Sequence, residues 1–310
     1  MPSKTATAAP FNRHTGLLVI EVRNSNPNGD PDQESDPRTL EADGRGLISP
    51  VSLKRKVRDL VLRDGDVMAE AHHRLKLEQD GDRNNYGVLE ARDRDLKEIC
   101  KLEKDEFKKR YWDARLFGNT MLEAMKQAKV AAKSSSEHDH FISTGVVQMG
   151  VGVSIAPVRI IRWTQTNVSS VEMAKEGEKE KSRGMAPLSF RVVDHAVYTM
   201  PFFVNPELAR KTGATANDLE LLKFMLPKAY PLTASGSRAS VFPIHCWLAE
   251  HTSAWGSCPD PLILDALTPR RKDPKGEPST TLADYEIPKK LEEDLRKRLK
   301  SFVDLCAAEP

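Results

Sequence analysis

Strand-patterned and helix-patterned stretches follow one another here in an order that leaves few folds open. Thr15-Gly16-Leu17-Leu18-Val19-Ile20-Glu21-Val22-Arg23 is apolar and β-branched, the composition of a central strand. It runs into the turn formers Asn24-Ser25-Asn26-Pro27-Asn28-Gly29-Asp30-Pro31. A short amphipathic helix then begins at Ser49, whose hydroxyl caps the first turn, with Pro50 at the position where a missing amide costs nothing. Leu53, Val57, Leu60 and Val61 share its buried face. Strand texture resumes over 145–155, where glycines inside the pattern mark close approaches, continues over 158–163, and returns over 189–204. Thr215-Ala216-Asn217-Asp218 offers a capped start for a helix over 219–226, and 240–249 reads as a last strand.

Strand, helix, strand, strand, helix, strand is the βαββαβ order of ferredoxin-like folds, so the expected class is α+β. RNA-recognition domains use the same architecture and lay RNA across a four-stranded sheet. The remaining segments are excursions from it. Residues 1–14 form a loose tail and 15–63 the first half of the fold. Residues 64–140 read as a mainly helical insertion, with helix-compatible stretches over 89–107 and 111–132. After the strands of 141–163, residues 164–188 are polar, charged and exposed in expectation, and 189–256 complete the fold. Residues 257–310 read as a proline-rich connector leading to a charged amphipathic helix over 288–305.

Composition places the chain among globular proteins: of 310 residues, 39% are hydrophobic and 30% charged. With 47 basic against 45 acidic residues, binding to a polyanion must come from segregated patches. One such patch is evident. Between Arg45 and Arg63 six basic residues face a single acidic one, Asp59, in a chain whose net charge is only +2. On a helical projection Lys54, Arg55 and Arg58 fall opposite the apolar face, with Lys56 at its flank. No apolar run approaches the roughly 18 residues of a membrane span, and residues 1–15 lack the apolar core of a secretory signal. The four cysteines form no CxxC pair, so reduced thiols in a cytoplasmic protein are expected.

The sharper chemistries fail on spacing. There is no GxSxG elbow, Walker lysine loop, HExxH or GxGxxG opening a helix. The Asn24 to Asp32 run looks superficially like a calcium loop, but Pro27 interrupts it and Ser35 stands where a bidentate Glu is needed. His138 and His140, or His245, Cys246, His251 and Cys258, lack the paired spacing of a zinc site. Asp30, Asp32, Asp36 and Asp43 read as a solvated acidic loop. No metal or other cofactor is expected.

Five motifs in order resemble a known family: Asn26-Pro27-Asn28-Gly29-Asp30-Pro31, Arg45-Gly46-Leu47-Ile48 leading into Leu53-Lys54-Arg55-Lys56-Val57-Arg58, Asp113-Ala114-Arg115-Leu116-Phe117-Gly118, Gly145-Val146-Val147-Gln148, and the 208–222 stretch. The chain resembles the RNA-binding backbone subunit of type I CRISPR surveillance complexes (Cascade), the Cas-seven family, in its type I-C and I-B branch. The resemblance implies a non-enzymatic subunit with an RRM-like palm, helical fingers from 64–140 and an extended thumb from 164–188, polymerising in several copies along one guide RNA (crRNA). It implies as partners the crRNA, target DNA, other copies of the chain, and the large, small and crRNA-processing subunits of the complex, and no membrane. On this reading Asn26, Asn28, Arg45, Lys54, Arg55, Lys56, Arg58 and Gln148 contact the guide from the palm. Arg159, Arg162 and Arg183 extend the positive track toward the thumb, Met185 is a candidate wedge between bases, and Arg238 reaches RNA from a loop. One departure stands out: Gly184-Met185-Ala186-Pro187 occupies the place of a glycine-arginine-lysine segment common in type I-C members. The alternative is a metal-dependent RNA-cleaving subunit as in type III complexes, for which Asp30, Asp32 and Asp36 are the available carboxylates.

Overall fold

The computed structural model describes residues 9–63, 65–77, 83–120, 142–168, 185–273 and 277–307. Its centre is an eight-stranded sheet built from β1 (His14–Ser25), β2 (Arg45–Ile48), β3 (Val147–Met149), β4 (Gly152–Pro157), β5 (Ile160–Val168), β6 (Met185–Val204), β7 (Val241–His251) and β8 (Leu299–Asp304). The order across the sheet is β8-β7-β1-β6-β4-β2, with β3 and β5 also pairing with β6, and every pairing is antiparallel. The helices are α1 (Pro50–Leu62), α2 (Asp66–Leu75), α3 (Leu96–Lys101), α4 (Lys104–Arg110), α5 (Trp112–Phe117), α6 (Ala216–Met225) and α7 (Asp260–Leu267), besides single turns. The class is α+β.

β1 is apolar almost throughout because both faces of the sheet are covered. Leu18, Ile20 and Val22 pack with Leu53, Val57 and Leu60 of α1 and with Leu219, Leu222 and Met225 of α6. The alternate residues Leu17 and Val19 join Val197, Trp247 and Ala249 in a second core, closed by Cys258, Ile263, Leu267, Tyr285, Leu291 and Leu299. Each fully buried aliphatic side chain contributes about 1.5–3 kcal/mol, so both layers matter. The C-terminal segment occupies most of the sheet face away from α1 and α6.

That segment also differs from its expected form. In place of a helix over 288–305 there is one turn, Glu293–Arg296, followed by β8. The free edge of β7 offers ladder partners for Ser301 to Asp304, while Leu299 enters the second core; tertiary pairing overrides the helical pattern. The described part of 64–140 holds four short helices, α2 to α5, with irregular chain over 87–95 and a strand over 118–120. α5 stops at Gly118 (φ 77), where a Cβ would lie 2.4 Å from the Ser143 carbonyl oxygen, so the helix expected over 111–132 ends at Phe117 and residues 118–120 pair with 142–144. The strand expected over 145–155 is split into β3 and β4 around Gly150. The 164–188 excursion is strand at both its described ends, Thr164 to Val168 pairing with Met185 to Ser189. Among the described residues no helix is long and apolar enough to cross a membrane.

Candidate nucleic-acid interface

Where β1 ends, the chain forms a tightly bonded loop. Asn26 donates its amide to the Ser237 carbonyl at 2.7 Å and its side-chain Nδ2 to the Ser35 carbonyl at 2.8 Å. Asn28 Oδ1 accepts the Ser49 amide at 2.7 Å, tying the loop to the start of α1. Ser49 caps α1 with Pro50 in the first turn, as the sequence pattern requires. The Asn26 carbonyl accepts from Arg238 Nε at 3.1 Å, whereas Asn26 Oδ1 is buried without a partner. The turn at 236–238, the Asn26–Asn28 loop and the head of α1 therefore form one surface.

The far face of α1 is not the solvated basic face expected from its projection, because neighbouring elements pack on both flanks. Lys56 and Arg58 are buried. Lys56 Nζ lies 3.3 Å from Thr233 Oγ1 and 5.0 Å from the Tyr230 ring centroid. Burial, with Arg238 adding like-charge repulsion, pushes its pKa down to about 8. Arg58 donates to Asp113 at 2.7 Å, and Lys54 and Arg58 lie 5.2 and 5.3 Å from the Phe117 ring. Burial and the neighbouring Arg58 charge lower the Lys54 pKa. Arg55 is engaged by Asp59 and the Glu90 carbonyl.

The Asp113-Ala114-Arg115-Leu116-Phe117-Gly118 motif explains itself in this setting. Asp113 binds Arg58 and the amides of Leu89 and Glu90. Arg115 places its guanidinium donors on Asp218 and the carbonyls of Asn85, Lys108 and Lys109. Asp218 is also the acidic partner in the capping box that starts α6. The motif bolts the insertion to α1 and α6.

The remaining candidates are scattered. At the root of the β5–β6 hairpin, Arg162 and Arg191 stand opposite each other and both bind Asp36; Arg191 also binds Glu34. Bonding to Arg162 holds the Asp36 carboxyl below the usual range despite burial. Arg159 pairs with Asp194, Arg45 with Asp43 at 2.6 Å, and Gln148 donates to the Gly145 carbonyl at 2.6 Å. Arg183 and the Met185 side chain lie outside the described residues; only the backbone of Met185 is placed, at the start of β6. Among the described residues Lys54, Lys56 and Arg238 form no ion pair; Lys56 lies close enough to Arg238 to feel its charge, and Arg238 binds the Asn26 carbonyl. Sequence reasoning missed Tyr230, Thr233 and Arg191, which carry no local signal beyond residue type; Phe117 lay in a recognised motif without being assigned a role. Among the described residues no three His, Cys, Asp or Glu side chains converge as metal ligands, and Asp36 is occupied by arginines.

The family model for CRISPR-associated protein Cas7 matches residues 12–290. The chain belongs to that family. A curated relative, CRISPR-associated protein Cas7 of Haloferax volcanii, is 34% identical over 118 residues, which is 36% of this chain and 33% of the relative. The match thus spans about a third of the relative's length. Among solved structures, a chain described as a CRISPR RNA-guided surveillance complex, pre-nicking, aligns with TM-score 0.44 and 17% identity over 77% of this Cas7-family chain and 78% of its own length. A chain of a CRISPR RNA-guided surveillance complex aligns at TM-score 0.41 and 16% identity, over 77% of this chain and 69% of that one.

Proposed function

We propose that this Cas7-family chain is the non-catalytic backbone subunit of a type I surveillance complex, several copies of which line one crRNA and hold it for pairing with target DNA. The observation that carries this reading is the proximity of Lys56 to Arg238, which itself binds Asn26. Two cations share a partly desolvated site with no carboxylate bound to either among the described residues. An anion satisfies both cations, and an RNA phosphate is such an anion. A guide of arbitrary sequence must be held by phosphate and ribose so that its base edges stay free for the target.

Within this reading β1, β4, β6 and β7 with α1 and α6 form a palm of the ferredoxin-like kind, supported by their spatial order with β1 and β6 central. The insertion supplies fingers and the β5–β6 hairpin the root of the thumb. Repetition along the guide makes modest, salt-sensitive contacts add up to a stable sheath. Other subunits of the complex and target DNA are its further partners. Because Asp36 is held by Arg162 and Arg191, complementary RNA with magnesium should remain uncut on the assembled sheath.

The test avoids Arg58, whose loss would expose a buried carboxylate. Lys56→Gln together with Arg238→Gln should keep the fold, lower RNA affinity, and flatten the salt dependence by about one unit of log-log slope per lost phosphate contact. Unchanged affinity and slope would reject the site.

A further inference from the structure

Among the described residues the C-terminal segment leaves one end of its sheet face open, and the open end holds an arginine over an aromatic ring. Glu21, Arg23 and Phe242 lie on the face that the second core covers elsewhere: Glu21 pairs across the sheet with Val197, a member of that core, and on its other side with Phe242. Ser279 and Tyr285 close the face as far as His195. Beyond them Phe242 is 38% exposed and the Arg23 side chain 56% exposed.

The pair is built from below. Arg23 donates through Nε and a terminal amine to the two oxygens of Glu21, both at 2.8 Å. Glu21 is only 2% exposed and also meets His195 Nε2 at 3.2 Å, while His195 Nδ1 contacts Ser279 Oγ at 2.8 Å. A buried carboxylate held from two sides thus fixes the guanidinium, whose carbon sits 5.9 Å from the Phe242 ring centroid. Glu21 neutralises Arg23, so the guanidinium offers a flat, oriented surface and little net charge.

Such a surface suits the π-face of a base better than a phosphate. It lies at the same end of the sheet as the phosphate site, on the opposite face: Arg23 donates its amide to the Ser240 carbonyl, and Phe242 follows the turn that carries Arg238. We propose that Arg23 and Phe242 form a stacking platform for an unpaired base of single-stranded nucleic acid. This rests on the proposed guide-RNA reading and adds to it a contact that is apolar and independent of base identity. The guide's phosphates are held at Lys56 and Arg238 on one face, and a base of the strand passing round this end of the sheet lies on Phe242.

The test uses the full chain and a single-stranded RNA carrying 2-aminopurine, whose fluorescence is quenched by stacking. Phe242→Ala should weaken RNA binding by about tenfold, the scale of losing one stacked base, and relieve quenching, while leaving the salt slope unchanged because no phosphate contact is lost. Phe242→Tyr should restore both signals. Equal affinity and equal quenching in wild type and Phe242→Ala would overturn the platform while leaving the guide-RNA reading intact. Absence of RNA binding by the wild type would instead remove the reading on which the platform rests.

Discussion

Arg58 of α1 donates through Nε to the Asp113 carboxylate of α5 at 2.7 Å, in a place where Asp113 is wholly buried. That one pair converts a residue of the basic helix from a surface charge into a structural fastening. It joins α1 and the turn at Leu89 and Glu90 to α5.

Asp113→Ala should therefore destabilise the fold strongly, by about 3–5 kcal/mol, since it strands the Arg58 charge and two buried amides. Replacing both partners, Arg58→Met with Asp113→Leu, should cost less than Asp113→Ala alone. Urea unfolding of the three variants checks the order; a double variant less stable than Asp113→Ala would contradict it.

Asp36 restrains two arginines where β5 and β6 pair. Asp36→Asn should release Arg162 for phosphate while Arg191 stays on Glu34, tightening RNA binding and steepening its salt dependence. Its stability cost should be small, because Arg162 is 58% exposed. The lowered Asp36 pKa means that its contribution is present above the ordinary carboxylate range and fades as pH falls through the depressed value. Affinity measured across a salt series separates release from simple loss of structure, which would weaken binding.

Lys56 gives a pH signature of defined sign. Its folded pKa is pushed down to about 8 from an unfolded 10.5, so between these values the unfolded chain binds more protons and stability rises with pH. Below about 8 the buried charge is present in full and so is its cost. RNA binding should run the other way: a phosphate favours the charged lysine, so binding takes up a proton and affinity falls as pH rises through about 8. Calorimetry in two buffers of different ionisation enthalpy measures the uptake, and Lys56→Met should abolish the difference. Equal uptake in wild type and variant would show that Lys56 does not meet the anion.

The parts of this molecule that were legible in the sequence are those decided locally. Ser49 and Pro50 announce the start of α1, Thr215 and Asp218 that of α6, and Leu53, Val57 and Leu60 mark the face that is buried. The continuous apolar run of β1 reads as a central strand because both its faces are covered. What periodicity does not carry is the identity of a second neighbour. Lys56 and Arg58 look solvated on a helical projection and are buried because Tyr230 and Asp113, far away in the chain, pack against them. For the same reason β8 reads as helix: its ladder partner is β7, and only the fold brings the two together. The Asp113 to Gly118 motif is visible as a string, but its chemistry resides in Arg58, Asp218 and the carbonyls it binds.

The central claim is that this chain sheathes a guide RNA, and the most direct measurement is of the nucleic acid that co-purifies with it when it is expressed with a repeat array and its neighbouring genes. The account predicts a discrete RNA, one spacer flanked by repeat fragments, protected along its length by several copies of the chain. Purification at low salt with no bound nucleic acid would contradict it, and heterogeneous cellular RNA in place of the discrete species would contradict the guide while leaving a general RNA-binding protein.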